Sequence, residues 1–225
     1  MTRKGEIVAI VPVRAGSQRV LQKSVRKFGD TNLLALKIET LKQVKKIDRI
    51  IVTSDSDFIL ELARALGAST HKREKYYASD VCSGSEFFEN LARSIDGTHF
   101  LYSPPTSPLV RPESITKAIN EYIKMDAAYD SLASASPVKD HMWLDGSPLN
   151  YSLIESPNSQ DLPEILKITY GINLISRLDV SRNRNVVGQN PKFFHLDEKE
   201  SVDIDTMMDF QFAEYLYEQG VVENV

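Results

Sequence analysis

The stretch Ile7-Val8-Ala9-Ile10-Val11-Pro12-Val13-Arg14-Ala15-Gly16-Ser17-Gln18-Arg19-Val20-Leu21-Gln22-Lys23 decides how the rest of the chain is read. Its apolar, β-branched first half suits a strand buried on both faces of a parallel sheet, and Pro12 ends that run. A polar turn carrying Gly16 and Ser17 follows at once, with Arg14, Arg19 and Lys23 around it. A strand end that opens into a Gly-containing turn points backbone N–H groups outward, and nearby cations add permanent positive charge. The expectation is an anion-binding loop with a polyphosphate as its guest. The spacing is neither the Walker pattern nor the dinucleotide fingerprint, because no second glycine precedes the lysine.

Beyond this loop, Leu33, Leu34, Leu36, Ile38, Leu41, Val44 and Ile47 recur on one side of a helix. Arg49–Ser54 reads as a second buried strand, and Phe58–Leu66 as an amphipathic helix stopped by Gly67 at C′. Strand, helix, strand, helix implies right-handed crossovers and parallel pairing. His99–Tyr102 reads as a third strand, followed by the stiff turn Ser103-Pro104-Pro105-Thr106-Ser107-Pro108 and a helix from about Pro112. Asp145-Gly146 and the prolines at 148, 157 and 163 break the pattern, so 140–166 is read as an inserted arm. Strand character resumes over Ile168–Ile175 and Lys192–Leu196. Met207–Glu218 is a final helix with Phe210, Phe212, Tyr215 and Leu216 available for burial.

With 225 residues, 42% hydrophobic and 26% charged, the chain suits one large α/β domain spanning 1–225. No apolar run approaches a membrane span, and no secretory hydrophobic region is expected at the N-terminus. Cys82 is the only cysteine, which excludes an internal disulfide and makes the cytoplasm the expected compartment. A net charge of −4 argues against a nucleic-acid binder. His71, His99, His141 and His195 show no metal-ligand spacing, so any metal should be held by oxygen.

Three further constellations could carry chemistry. In Ser201-Val202-Asp203-Ile204-Asp205-Thr206, a period of two puts both carboxylates on one face of an extended strand. That pair suits Mg²⁺, which completes its shell with water and substrate phosphates. The plainer alternative is that Asp205 or Thr206 caps the final helix, with Asp209 in its first turn. Arg73, Asp80 and Cys82-Ser83-Gly84-Ser85 precede a helix near Glu86 and offer hydroxyls to a base or ribose, or merely a turn and cap. Pro105-Thr106-Ser107-Pro108-Leu109 stiffens a loop where ligands of open α/β sheets lie.

Taken together, these segments resemble the acylneuraminate cytidylyltransferases, which make CMP-activated nonulosonic acids and are related to the CMP-Kdo synthetases. The family's Pro-Ala-Arg-x-x-Ser-Lys-Gly-x-Pro-x-Lys-Asn is met by residues 12–24, with Arg14, Ser17 and Lys23 matching. Arg73 and Asp80 keep the ends of Arg-Pro-x-x-Leu-x-x-Asp, Pro-Thr-Ser-Pro-Leu is intact at 105–109, and Ser-x-Asp-x-Asp stands at 201–205.

The resemblance implies a nucleotide-diphospho-sugar-transferase-like α/β/α fold with a mostly parallel mixed sheet. The 140–166 segment would be an arm through which the protein forms a homodimer. It implies attack by a sugar's anomeric hydroxyl on the α-phosphorus of CTP, with Mg²⁺ on Asp203 and Asp205 and with Arg14 and Lys23 neutralising phosphate charge. Arg14, Ala15, Gly16, Ser17, Arg19, Lys23, Arg73, Asp80 and Ser83 would hold the nucleotide. The acid sugar would meet Pro104, Thr106, Ser107, Lys139 and Tyr170, with His141, Trp143 and Lys167 as further candidates. A same-fold glycosyltransferase using Asp-x-Asp, or a nucleotide-binding homologue without turnover, are the competing readings.

Overall fold

A computed structural model describes residues 3–16 and 19–220. Seven strands form one mixed sheet: β1 (Ile7–Pro12), β2 (Arg49–Ser54), β3 (Ser69–Lys72), β4 (His99–Tyr102), β5 (Ser131–Val138), β6 (Ile165–Ser176) and β7 (Pro191–His195). Their order is β7-β5-β6-β4-β1-β2-β3. The pairs β1 with β2, β1 with β4, β2 with β3 and β7 with β5 are parallel, while β6 runs antiparallel to both β4 and β5. Among the described residues six α-helices accompany the sheet: α1 (Leu33–Lys42), α2 (Asp57–Ala65), α3 (Gly84–Ser94), α4 (Pro112–Lys124), α5 (Arg177–Asn183) and α6 (Met207–Glu218).

The alternation of β1 explains why helices cover both faces. Ile7, Ala9 and Val11 join the core built with Leu34, Ile38, Ile59 and the α4 residues Ile115, Ala118 and Ile119. Val8 and Ile10 point the other way, onto Leu91 and Ala92 of α3, Ile95 just after it, and Val180 of α5. Truncating one of these fully buried aliphatics to Ala should cost about 2–5 kcal/mol. A third, smaller core joins Val20, Phe28 and Leu33 to Ile204, Phe210 and Ala213. It ties the segment after β1 to the segment before α6.

Helix boundaries follow local chemistry. The Asn32 side chain accepts from Ala35 N and starts α1, while Pro112 occupies the first turn of α4. Gly67, at φ 79°, ends α2 in the left-handed conformation expected at C′.

Several expectations are corrected. Helix α1 stops at Lys42, so Val44 and Ile47 pack on the core from the following loop. Phe212 and Tyr215 of α6 face solvent, and the buried side of that helix is Phe210 and Ala213. Residues 201–206 pair with no sheet strand. Their backbone is tied instead by Ile204 N donating to Thr106 O at 2.8 Å. The arm does carry a small hairpin, Trp143–Leu144 against Ser147–Pro148, turned by Asp145 and Gly146 at φ 48° and 79°. No helix among the described residues is long and apolar enough to cross a membrane.

Candidate active site

The C-terminal ends of β1 and β4 open onto a cavity of about 380 Å³. Pro12 and Arg14 line it from β1; Tyr102, Pro104 and Thr106 line it from β4 and the loop that follows. Arg73, the α3 residues Phe87 and Phe88, Tyr170 and Asp203 complete the wall. Neighbouring parallel strands end here together, the position at which open α/β sheets present their loops to ligands.

The expected anion loop carries its charge in contacts that a ligand can take over. Arg14 Nη1 lies 2.6 Å from Asp80 Oδ1, and Arg19 Nη2 lies 2.8 Å from Asp205 Oδ1, both pairs being largely exposed. Exposed pairs of this kind contribute only about 0–1 kcal/mol to folding. The Ala15 N–H donates to Asp55 Oδ1 at 3.1 Å, so a carboxylate already sits where the loop offers a backbone donor. Gly16 is exposed, and a Cβ there would meet nothing within 4 Å. Ser17 and Gln18 lie outside the described residues.

Lys23 is held differently. Its Nζ donates to Ile204 O at 2.5 Å. Burial pushes its ammonium below the ordinary lysine value, against the pull of Asp205 and Asp203. Lys23 therefore joins the β1 loop to the two carboxylates some 180 residues further along the chain.

Asp203 and Asp205 flank Ile204, which is buried in the third core. Asp205 stays exposed beside Arg19, whereas Asp203 is half-buried and faces the cavity. Burial pushes the Asp203 carboxyl up, while the Thr106 side chain and the charge of Lys23 favour its ionised form. Its Oδ1 is buried without a hydrogen-bond partner. An orphaned anionic oxygen lining a cavity is the feature expected of a group that completes its coordination with a ligand. Among the described residues there is no cluster of three or more His, Cys, Asp or Glu able to enclose a metal. Two carboxylates nonetheless fit Mg²⁺, which takes its remaining oxygens from water and phosphate. Thr206 meanwhile caps α6 in a reciprocal box with Asp209, so the capping alternative holds for Thr206 while Asp203 and Asp205 remain available.

The other expected residues divide. Arg73 is buried; its Nη2 donates to Val13 O, and its guanidinium lies 5.0 Å from the Phe87 ring centroid. It buttresses the end of β1 while showing one side to the cavity. Ser83 is the N-cap of α3, with its hydroxyl engaged by Glu86 at 2.7 Å. Ser83 N, Ser83 Oγ and Tyr76 hold the Glu86 carboxylate down to about 2.

Pro104 and Thr106 face the cavity, but Ser107 is buried behind it. Tyr170 reaches the cavity from an irregularity in β6, at φ 56°. The adjacent Gly171 packs so closely that a Cβ would stand 2.9 Å from Val110 Cγ2. Lys139 does not line the cavity; its Nζ lies 3.5 Å from Leu162 O at the base of the arm. His141 and Trp143 also stay in the arm, on Pro157 O and the Tyr151 hydroxyl.

Sequence reasoning passed over Lys37 and the aromatic pair Phe87 and Phe88. Both phenylalanines sit at helical spacing that reads as core. Lys37 occupies an apolar stripe, where a lysine reads as surface, yet it is 1% exposed and donates to Ser107 O at 2.8 Å.

Residues 8–153 match the sequence model of a protein family described as cytidylyltransferase. The CMP-N,N'-diacetyllegionaminic acid synthase of Legionella pneumophila is 28% identical over 226 residues, covering 94% of this chain and 96% of that protein. The N-acylneuraminate cytidylyltransferase of Escherichia coli O18:K1:H7 is 27% identical over 219 residues, covering 92% of this chain and 51% of that protein, so the chain spans about half its length. Among solved structures, a CMP:2-keto-3-deoxy-manno-octonic acid synthetase complexed with CTP superposes with a TM-score of 0.71 at 16% identity, covering 95% of this chain and 99% of that one. That last likeness is one of fold.

Proposed function

The chain belongs to the cytidylyltransferase family, and from that premise we propose that it transfers the cytidylyl group of CTP to the anomeric hydroxyl of a nonulosonic acid, releasing pyrophosphate. The observation that carries this reading is the convergence of the β1 loop on the carboxylate pair, through Arg19 on Asp205 and Lys23 on Ile204 O. A glycosyltransferase reading gives Arg14 and Lys23 no comparable task. The acid-sugar class is supported by the relatives, whose names give N,N'-diacetyllegionaminic acid and N-acylneuraminate as their sugars.

In this mechanism the sugar hydroxyl oxygen bonds to the α-phosphorus. The bond from that phosphorus to the bridging oxygen breaks, pyrophosphate leaves with the electron pair, and the hydroxyl proton passes to solvent. No covalent enzyme intermediate is needed, so the protein's work is positioning and charge stabilisation. Arg14, Arg19 and the Ala15 N–H exchange their carboxylate partners for phosphate oxygens. Lys23, anchored to Ile204 O, brings a cation to the leaving pyrophosphate. Asp203 and Asp205 would hold Mg²⁺, which when bound supplies charge neutralisation at the phosphates. Arg73, Asp80 and Ser83 border the nucleoside side, and Pro104, Thr106 and Tyr170 border the sugar side.

The test is a panel of nonulosonic acids with CTP and Mg²⁺, read by pyrophosphate release. Release with at least one acid sugar and none without CTP is expected, and silence across the panel would overturn the reading. The arm exposes Trp143, Leu144, Leu149, Leu153 and Ile154. We read this apolar surface as the pairing surface of a homodimer. Sedimentation should show two copies that Ile154→Glu separates.

A further inference from the structure

We infer that Lys37 is a positioning residue, which holds the Thr106–Ser107 turn from beneath and through that turn sets Asp203 and Ile204 at the cavity. The inference rests on the cytidylyl-transfer reading of the site. Four contacts carry it. Lys37 Nζ donates to Ser107 O at 2.8 Å. Thr106, the preceding residue, accepts from Ile204 N at 2.8 Å through its carbonyl. Its side chain lies against the Asp203 carboxylate. Ile204 O in turn receives Lys23 Nζ at 2.5 Å. A rigid proline-flanked turn thus passes a fixed point in α1 on to the segment bearing both carboxylates.

The chemistry of Lys37 argues against a filler role. An ammonium 1% exposed on a helix is costly to bury, and an apolar side chain would fill the same space without that cost. Its compensation comes from Ser107 O and from the charges of Glu200 and Asp203. Glu200 is itself buried and fixed by Arg111 N at 2.7 Å and Ser114 Oγ at 2.8 Å, at the start of α4. The acidic side of the site is therefore braced twice, by α4 on Glu200 and by α1 on the Thr106–Ser107 turn. Truncating Lys37 leaves Ser107 O buried without a donor, and the turn is free to shift away from Asp203.

Lys37→Met keeps the length and removes the donor, while Lys37→Gln keeps a shorter, neutral donor. Binding of Mn²⁺ in the presence of CTP, followed by calorimetry without sugar, should weaken about tenfold in Lys37→Met, the lower end of the range found when groups supporting metal ligands are removed, and less, about threefold, in Lys37→Gln, which keeps a donor. With sugar present, kcat should fall in the same order while KM for CTP moves less than about threefold, because the triphosphate contacts of Arg14 and Arg19 are untouched. A folded Lys37→Met with metal binding and kcat within twofold of the parent overturns the inference, as does a Lys37→Gln that matches the parent. Should Lys37→Met not fold, Lys37→Gln decides by the same criteria. A parent that releases no pyrophosphate with any acid sugar defeats the cytidylyl-transfer reading, and the metal titration then judges Lys37 alone. A parent that takes up no Mn²⁺ beside CTP overturns this inference.

Discussion

Two loops leave neighbouring strands at the same edge of the sheet, and they are built in opposite ways. The loop after β1 keeps Arg14 and Arg19 exposed on Asp80 and Asp205, in pairs that water already screens. The loop after β4 is buried: Ser103 Oγ donates to Gly171 O, and Lys37 of α1, itself buried, donates to Ser107 O. The first holds charges that can change partners at little cost; the second holds charges that cannot move. A site that must admit and release a highly charged ligand needs both, a wall that exchanges and a wall that does not.

The largest expected effect lies where the two loops meet. Asp205→Asn and Asp203→Asn should each cut pyrophosphate release at least about 10³-fold, because both remove charge from the proposed metal position. A decrease smaller than tenfold would leave the exchanging wall without its acidic partner in catalysis. Next, Arg14→Ala and Lys23→Ala should lower kcat about 100-fold. Their melting temperatures should fall by no more than about 4 °C, since partly exposed polar contacts contribute about 1 kcal/mol. Parallel losses of melting temperature and turnover would instead make the β1 loop a structural wall like its neighbour.

A smaller effect distinguishes the immobile wall by pH. Burial pushes Lys37 down to about 7 from 10.5, so between those values the unfolded chain binds more protons than the folded one. Stability contributed at this residue therefore rises as pH climbs from 7 towards 10.5. Denaturant midpoints of the parent relative to Lys37→Met should widen in the parent's favour over that window, and a flat difference would place the ammonium in contact with water. The smallest effect concerns the rim. Ser83→Ala should lower stability by about 1 kcal/mol at neutral pH through loss of the α3 cap. The Glu86 carboxyl is held down to about 2 from 4.5, so its share is fully present above 4.5 and is lost as pH falls towards 2. Acid titrations of parent and variant should converge across that interval.

The exchanging wall was largely legible in the sequence, since β-branched runs and clustered cations carry strong local signals. Strands β1, β2 and β4 lie where their apolar runs end, and α6 spans the expected residues. The turn of the immobile wall was legible in its prolines, Pro104, Pro105 and Pro108, whereas what braces it, and two of the sheet's strands, were not. Ser69–Lys72 is a polar edge strand, paired with β2 alone and without alternation to announce it. Ser131–Val138 is an interior strand of small residues, flanked by β6 and β7 and packed under α4, so its burial does not show in bulky side chains of its own. Lys37 carried the wrong sign altogether, because its reason for being buried is a carbonyl 70 positions away. Asp203 and Asp205 were expected on one strand face; they flank a buried isoleucine on a segment that joins no sheet, and tertiary contacts hold them there.

The irregularity in β6 has a consequence for how such a protein can change. Five steps of β6, from Ile168 to Asn173, lie against two steps of β5, from Ala135 to Ala133; pairing with β5 resumes, and pairing with β4 begins, at Asn173. Ser134 secures the gap by donating to or accepting from Thr169 and by receiving Ile172 N, so the slack is enclosed rather than passed along the sheet. Residues gained or lost there would reshape the wall at Tyr170 without disturbing the register of the strands that carry Arg14 and the Thr106 turn. The molecule thus has a seam at which one side of its cavity can be re-tailored while the opposite side keeps its pattern.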